Sequence, residues 1–348
     1  MGKKVTIQDI ADALNLSRNT VSKAINNSGG LAESTKIMIL EKAVEMGYKQ
    51  FSYVKAVARE QNQMIAGITE HTGEIALFTP AYHSRDSHFS SLLLDKFQKE
   101  AIQFGFTLVT YVLLNDNLKS LTLPPNFRKN KSCAIVCIEV FDKAYADMVC
   151  GLGLPVLFID GPCYKHGRSV NSDLLMMGNF TEIQQFIHEK AAQGLTRFGF
   201  IGDHTHCLSF YERYAAFRMA VNEEGLKYES KFVLLPADRN LVQMREMLCG
   251  LDEYPDCFIC VNDFNAIDAM MILKSIDPDL LKKVRFLGYD DSHESRIFTP
   301  PLSTVHIHTQ SIAFAAIQLL MTRMQYPSME YRTVHVATDL ILRESTEF

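Results

Sequence analysis

Between Val5 and Asn26 apolar residues fall at helical spacing twice, with a break between the two runs. Ile7, Ile10, Ala11 and Leu14 stand at i, i+3, i+4 and i+7, one stripe along one helix face. Thr6 ahead of the stripe and Asp9 three residues later make a capping box, each side chain answering the other's free backbone N–H. Asn15 and Leu16 predict a turn, Ser17 an N-cap, and Val21, Ala24 and Ile25 face back toward the first helix. Thr35, Ile37, Leu40, Ala43 and Val44 repeat the spacing and close at Met46-Gly47-Tyr48, where Gly47 suits a helix C-terminus. The pattern predicts a small all-α head over residues 1–50.

From Glu74 the period changes. EIALFTP, FTLVTYVLL, CAIVCIEV, LPVLFID, RFGFIG, KFVLLP, DCFICV and VRFLGYD are short, near-continuous apolar runs, mostly with amphipathic helices between them. Between the first two, His88 to Gly105 is such a helix, with Phe89, Leu92, Leu93, Phe97 and Ala101 inward. Strands apolar along their whole length, alternating with helices, mean parallel sheet covered on both faces. There are more of them than one small doubly wound domain needs, so the α/β part has two lobes. The stretch NDNLKSLTLPPNFRKNK, residues 115–131, breaks the alternation with a Pro-Pro and carries no amphipathic helix.

Length and composition fit this division: 348 residues, 47% apolar and 22% charged, suggest two or three domains with large cores. No run approaches the ~20 apolar residues of a membrane span, and the N-terminus lacks a signal peptide's apolar core, so a cytoplasmic protein is expected. The net charge of −5 hides an asymmetry, because residues 1–60 hold nine Lys/Arg against six Asp/Glu. A basic head on an acidic body fits a head that meets phosphate. The eight cysteines read as thiols; Cys257 and Cys260 form a C-x-x-C inside a strand, whose side chains alternate between faces, and no second pair completes a zinc site.

The chemistry of the head lies on the outer face of its second helix. Arg18, Asn19, Ser22, Lys23 and Asn26 are left there, with no acid between Ser17 and Asn26. Arg can donate twice to a guanine edge and Asn can exchange two bonds with adenine in the major groove. A helix-turn-helix that reads DNA follows. VTIQDIADALNLSRNTVSKAIN also resembles the head of the lactose-repressor (LacI/GalR) family of bacterial regulators. The resemblance implies that Arg18 and Asn19 read bases, with Lys23 where the family usually has Arg. Thr6, Ile7, Ser17, Thr20, Ser22, Asn26, Thr35 and Tyr48 complete the expected DNA-facing set. It also implies a hinge helix within residues 51–73 whose leucine enters the minor groove. Here KQFSYVKAVAREQ has no proline and Val57 in the leucine's place, which predicts a weaker wedge.

The resemblance continues through LPVLFIDG, RFGFIGD, FYERYAAFRMAVNEEGL, CVNDFNAIDAMMILKS, LGYDDSHESRIFTPPLSTVH and ILREST. It implies a two-lobed periplasmic-binding-protein-like core with a ligand in the cleft. The lobes would take residues 74–160 with 304–326, and 161–303 with 327–348. By resemblance Arg213 and Asp290 are the cleft's arginine and aspartate, Phe89 faces the ligand from the other lobe, and Ser172 stands where many members carry an aspartate. Independently, Asp160, Asn262 and Asp290 close apolar strands, and ligands of open α/β sheets sit beyond the carboxyl ends of strands. Carboxylates, an amide and a guanidinium suit a hydroxyl-rich, sugar-like ligand.

Neither His204/His206 with Cys207 nor His306/His308 is brought to a third metal ligand, so no metal or cofactor is expected. No G-x-S-x-G, phosphate-cradling glycine loop or H-E-x-x-H occurs, and adjacent Asp290 and Asp291 should diverge rather than act as an acid/base pair. The sequence therefore predicts a dimeric, effector-responsive repressor acting on a pseudo-palindromic operator. Its rivals are a small-molecule receptor or carrier with no DNA role, which a secretory signal would favour, and an enzyme on the same core, which turnover of a bound ligand would reveal.

Overall fold

The computed structural model describes residues 5–25, 31, 32, 35, 38, 39, 42, 43, 46, 73–81, 88–164, 169–237 and 240–347. The chain divides into two compact units, Met1–Thr72 and Gly73–Phe348. In the first, α1 (Ile7–Leu14) and α2 (Arg18–Ile25) form as the apolar stripes require. Thr6 N donates to Asp9 Oδ2 at 2.7 Å and Asp9 N donates back to Thr6 Oγ1 at 3.2 Å, so the capping box is closed. Asn15 ends α1 in the left-handed region, φ 52°, and Ser17 Oγ accepts from Thr20 N at 3.0 Å to start α2. Ile10, Ala11, Val21 and Ala24 are buried together with Ile39 and Ala43. The hinge expectations, including Val57, lie outside the described residues.

The second unit is built on two parallel sheets. Its strands are β1 (Glu74–Pro80), β2 (Thr107–Leu113), β3 (Ser132–Ile138), β4 (Val156–Ile159), β5 (Asp173–Met177), β6 (Phe198–Ile201), β7 (Val233–Leu234), β8 (Cys257–Cys260), β9 (Arg285–Leu287), β10 (Thr304–Ile307), β11 (Thr333–Val336) and β12 (Thr338–Ile341). The described helices are α3 (His88–Gln103), α4 (Asn115–Ser120), α5 (Lys143–Cys150), α6 (Thr181–Ala192), α7 (Leu208–Glu223), α8 (Leu241–Cys249), α9 (Asp263–Ile276), α10 (His293–Ile297) and α11 (Thr309–Gln325). The first sheet runs β11-β5-β4-β3-β1-β2, all parallel, and the second β7-β6-β8-β9, also all parallel. β10 and β12 pair antiparallel. Central strands are buried along nearly their whole length, whereas edge strand β11 exposes alternate residues and edge strand β2 exposes Thr107, Thr110 and Val112.

Strand pairing moves the lobe boundaries from those the sequence suggests. β5 and β11, expected in the second lobe, belong to the first sheet. The chain leaves the first lobe after Met177, returns between β10 and α11, and leaves again between β11 and β12. Gly178 sits where two of these crossings run side by side; a Cβ there would stand 3.1 Å from Thr338 Oγ1 and 3.5 Å from the Val336 carbonyl. α11 packs on α3 and on β5, β4 and β3, which places it in the first lobe. One apolar core continues from one lobe into the other and joins Ile138 and Ile159 with Phe210, Phe217 and Tyr289. Within residues 115–131 the chain forms the short α4, with none of its side chains buried.

Candidate functional site

On the head, Ser17, Arg18, Asn19 and Lys23 are exposed, with Thr20, Ser22 and Thr35 partly so. α2 has no acidic residue in its first turn, so its outer face presents donors and amides only. Thr6 is exposed and Ile7 half-buried at the start of α1. Asn26 and Tyr48 fall outside the described residues.

In the core, the carboxyl ends of β3, β4 and β5 meet those of β8 and β9, and the side chains between them are unevenly committed. Arg213, on α7, is 2% exposed. Its Nε donates to Asn179 Oδ1 at 2.9 Å and its Nη1 to the Val261 carbonyl at 2.5 Å. Its guanidinium carbon lies 3.5 Å from the centre of the Tyr289 ring. Tyr289 in turn donates its hydroxyl to the Gly178 carbonyl. Asp290 follows Tyr289 with φ 112°, a conformation costly for a residue with a Cβ and found where structure overrides local preference. It is half-buried, and among the described residues its carboxylate accepts no hydrogen bond. Burial pushes its carboxyl well above the usual range; Arg213 pulls it down, while Asp263, Glu139 and Asp160 push it further up. Gly288 lets β9 run hard against α9, since a Cβ there would fall 2.2 Å from Asp263 Oδ1.

Asp291 diverges from its neighbour as expected. It pairs with Arg296 at 2.6 Å, with His306 Nδ1 at 3.0 Å and with Arg343, and those hydrogen bonds hold its carboxyl far below the usual range despite burial. Asp160 lies at the end of β4, but its oxygens are filled: Oδ1 accepts from the backbone N–H of Gly161 and Ser209, Oδ2 from the Ser209 hydroxyl at 2.6 Å. It thus caps α7 of the second lobe from a strand of the first. Asn262 caps α9, its Oδ1 accepting from Asn265 N at 2.9 Å. Ser172 is not in the cleft. It precedes β5, at the strand's opposite end from the Met177–Gly178 crossing, and is buried with its hydroxyl donating to the Asp173 carbonyl. The side chain of Phe89 lies outside the described residues.

Sequence reasoning missed Asn179 and Tyr289, which clamp Arg213, and Glu139, buried at the end of β3 with φ 57°. Recognising DLLMM as a strand would have pointed to Asn179, because it closes that strand. His204 stacks on Tyr214, and His206 meets Phe141 and Phe210 edge-on or tilted, so both histidines work as aromatic surface here. Cys257 and Cys260 point to opposite sides of β8 into different apolar clusters, and burial raises both thiols. Among the described residues no three His, Cys, Asp or Glu side chains gather as a metal site, and no helix is long and apolar enough to cross a membrane.

Two parallel α/β lobes joined by three crossings, with polar side chains converging at their strand ends, define a periplasmic-binding-protein-like core carrying a helical N-terminal unit. A periplasmic binding protein-like domain family matches residues 187–346. Over 98% of both chains the sequence is 22% identical to the HTH-type transcriptional repressor PurR of Mannheimia succiniciproducens. It is 25% identical to the HTH-type transcriptional regulator GalR of Lacticaseibacillus casei, over 98% of this chain and 99% of that one. Among solved structures it resembles a transcriptional regulator CelR–cellobiose complex (TM-score 0.69, 19% identity, 98% of this chain and 100% of that one). It also resembles the lac repressor dimer bound to operator and the anti-inducer ONPF (TM-score 0.66, 17% identity, 99% of each chain). Over nearly its whole length the chain is thus similar to HTH-type transcriptional regulators, on a fold shared with solved regulators of the lac repressor kind.

Proposed function

We propose that the protein is a cytoplasmic, homodimeric repressor that binds a pseudo-palindromic operator through α2 and responds to an uncharged, hydroxyl-rich effector, sugar-like in chemistry, held between the lobes. The observation that carries the reading is the placing of a clamped Arg213 near an Asp290 that accepts no hydrogen bond from the described residues, at the ends of strands where such cores take ligands. A hydroxyl can give that carboxylate its missing donor and accept from the guanidinium. A phosphate or carboxylate would meet Asp290 with Glu139 and Asp160 close by, so an anionic effector is disfavoured. The relatives support the same reading: the PurR and GalR relatives are a repressor and a regulator, the CelR structure holds cellobiose, and the lac repressor is a dimer on its operator.

Selection of bound sites from a random DNA pool, with Arg18→Ala as control, tests the head. The variant should lose about 1–3 kcal/mol on the selected site and discriminate less between bases. A thermal-shift screen of neutral sugars, sugar phosphates and nucleobases tests the cleft, because a ligand at 100 times its Kd adds about 2.7 kcal/mol. Failure to select any site, or equal affinity in Arg18→Ala, would sink the DNA-reading assignment.

A further inference from the structure

Arg213 is held from a direction that leads out of the cleft. Asn179, 1% exposed, directly follows the Gly178 crossing. Its Oδ1 accepts from Arg213 Nε at 2.9 Å and its Nδ2 donates to Glu212 Oε2 at 2.7 Å. Those partners fix which way the amide points: flipped, its NH2 would meet the guanidinium and its carbonyl the carboxylate, two contacts without a matching donor and acceptor. Glu212 reaches His335 Nε2 with both oxygens, at 3.2 and 3.3 Å. The carboxylate only accepts, so the facing ring nitrogen carries hydrogen. His335 stands on β11, the edge strand of the first lobe, whereas α7, which carries Glu212 and Arg213, packs on α6 and β6 of the second. Four side chains therefore run in series from the flank of one lobe, through the other, to the cleft.

Stacking on Tyr289 sets the plane of the guanidinium but leaves it free to turn within that plane. The Nε–Asn179 bond, together with the Val261 carbonyl, stops that rotation and leaves Nη2 without a hydrogen bond among the described residues. We propose that Asn179 and Glu212 are positioning residues for Arg213, and that His335 makes their grip depend on how far apart the lobes stand. Rotation of the lobes about the three crossings would slide β11 against α7. Separation breaks the His335–Glu212 contact, releases Glu212 from its second partner and loosens the amide that aims the guanidinium. Lobe closure and the readiness of Arg213 are coupled through this chain, in both directions. The functional consequence rests on Arg213 being an effector contact; the positioning itself does not.

The test follows the Nε–H of Arg213 in the full-length, nitrogen-15-labelled protein, its signal assigned by its disappearance in Arg213→Lys. A buried Nε–H bonded to an amide oxygen exchanges slowly with solvent. Asn179→Ala and Glu212→Ala should speed its exchange by at least about tenfold, as loss of a charge-assisted hydrogen bond does. Glu212→Gln keeps an acceptor for Asn179 and should restore slow exchange. His335→Ala should give a smaller acceleration, and His335→Gln, which keeps a donor, should reverse it. Backbone amides of β8 in the same samples separate this from general loosening of the core. If Glu212→Ala leaves the Arg213 signal as in wild type, or accelerates it only as much as the β8 amides, the positioning role is wrong. If His335→Ala changes nothing while Glu212→Ala does, the link to lobe separation is wrong. Because the readout needs no effector, a finding that Arg213 takes no part in ligand binding would leave these outcomes as they stand.

Discussion

Replacing Arg213 with alanine should damage the core itself, well beyond any loss of ligand affinity. The side chain is 2% exposed and makes two charge-assisted hydrogen bonds, to Asn179 and to the Val261 carbonyl, besides stacking on Tyr289. Truncation leaves both acceptors unpaired and takes from Asp290 the positive charge that opposes three carboxylates. Breaking a buried charged contact of this kind costs about 3–5 kcal/mol. A core of roughly 280 residues has an unfolding entropy near 0.6 kcal/mol per kelvin, so Tm should fall by about 5–9 °C. The loss should also depend on pH. The folded state raises the Asp290 carboxyl above its unfolded value, so this group's contribution is intact at acid pH and is lost as pH rises through the raised value. Without Arg213 that penalty grows, so Arg213→Ala should lose more at pH 8 than at pH 5, and adding Asp290→Asn should recover part of the difference. Asp290→Asn alone should be no less stable than wild type at pH 8 yet bind the effector at least about tenfold more weakly, the cost of one charged hydrogen bond. Calorimetric scans at the two pH values, with titration of a screened ligand, read all of this. A Tm for Arg213→Ala within about 2 °C of wild type at both pH values would refute the clamp.

Asp173 is 1% exposed and holds Arg323 through two bonds of 2.9 and 3.0 Å, besides the backbone and side chain of Arg332. Asp173→Asn should cost about 3–5 kcal/mol in urea unfolding. Its carboxyl is held below the usual range, so this stabilisation is present above that range and lost as pH falls; the variant's midpoint should decline less than wild type's below pH 4. Glu100 is 1% exposed between α3 and α11, bonded to Gln310, and burial pushes its carboxyl up to about 7. Glu100→Gln should therefore stabilise the fold at pH 8 by something on the order of 1 kcal/mol, seen as a raised Tm, and the gain should shrink toward pH 5, which paired thermal scans would reveal. Thr6→Ala removes half of the capping box, about 1 kcal/mol, and should quicken hydrogen exchange of α1 amides about fivefold with core amides unchanged.

Much of the architecture was legible because single physical rules governed it. The head follows from one amphipathic stripe and two caps, and both caps close with the partners their spacing requires. The buried strands follow from apolar runs too continuous to face water. The lobe boundaries were not legible, because membership of a sheet is a pairing property. DLLMM is apolar enough to be a strand, but nothing in those five residues says that β4 lies beside it, and TVHV shows only the weak alternation of an edge. Missing β5 also hid Asn179 and left Ser172 as a cleft residue.

The strand-end carboxylates show a different limit. Asp160, Asn262 and Asp290 look alike in sequence, each a polar residue closing an apolar run, and an end of strand facing the start of a helix offers two uses for such a side chain. Asp160 and Asn262 satisfy free N–H groups at the starts of α7 and α9. Asp290 has no such duty: the N–H that begins α10 is answered by Ser292, and Asp263 and Asp291 take the donors around it. Which residue keeps an uncommitted carboxylate is decided by this distribution of donors, a three-dimensional account that no local pattern encodes. The residue left over here also has the more strained backbone, φ 112° against 54° at Asp160, and a carboxylate crowded by others. Stability alone would not retain that combination, and a ligand supplying a donor would relieve it.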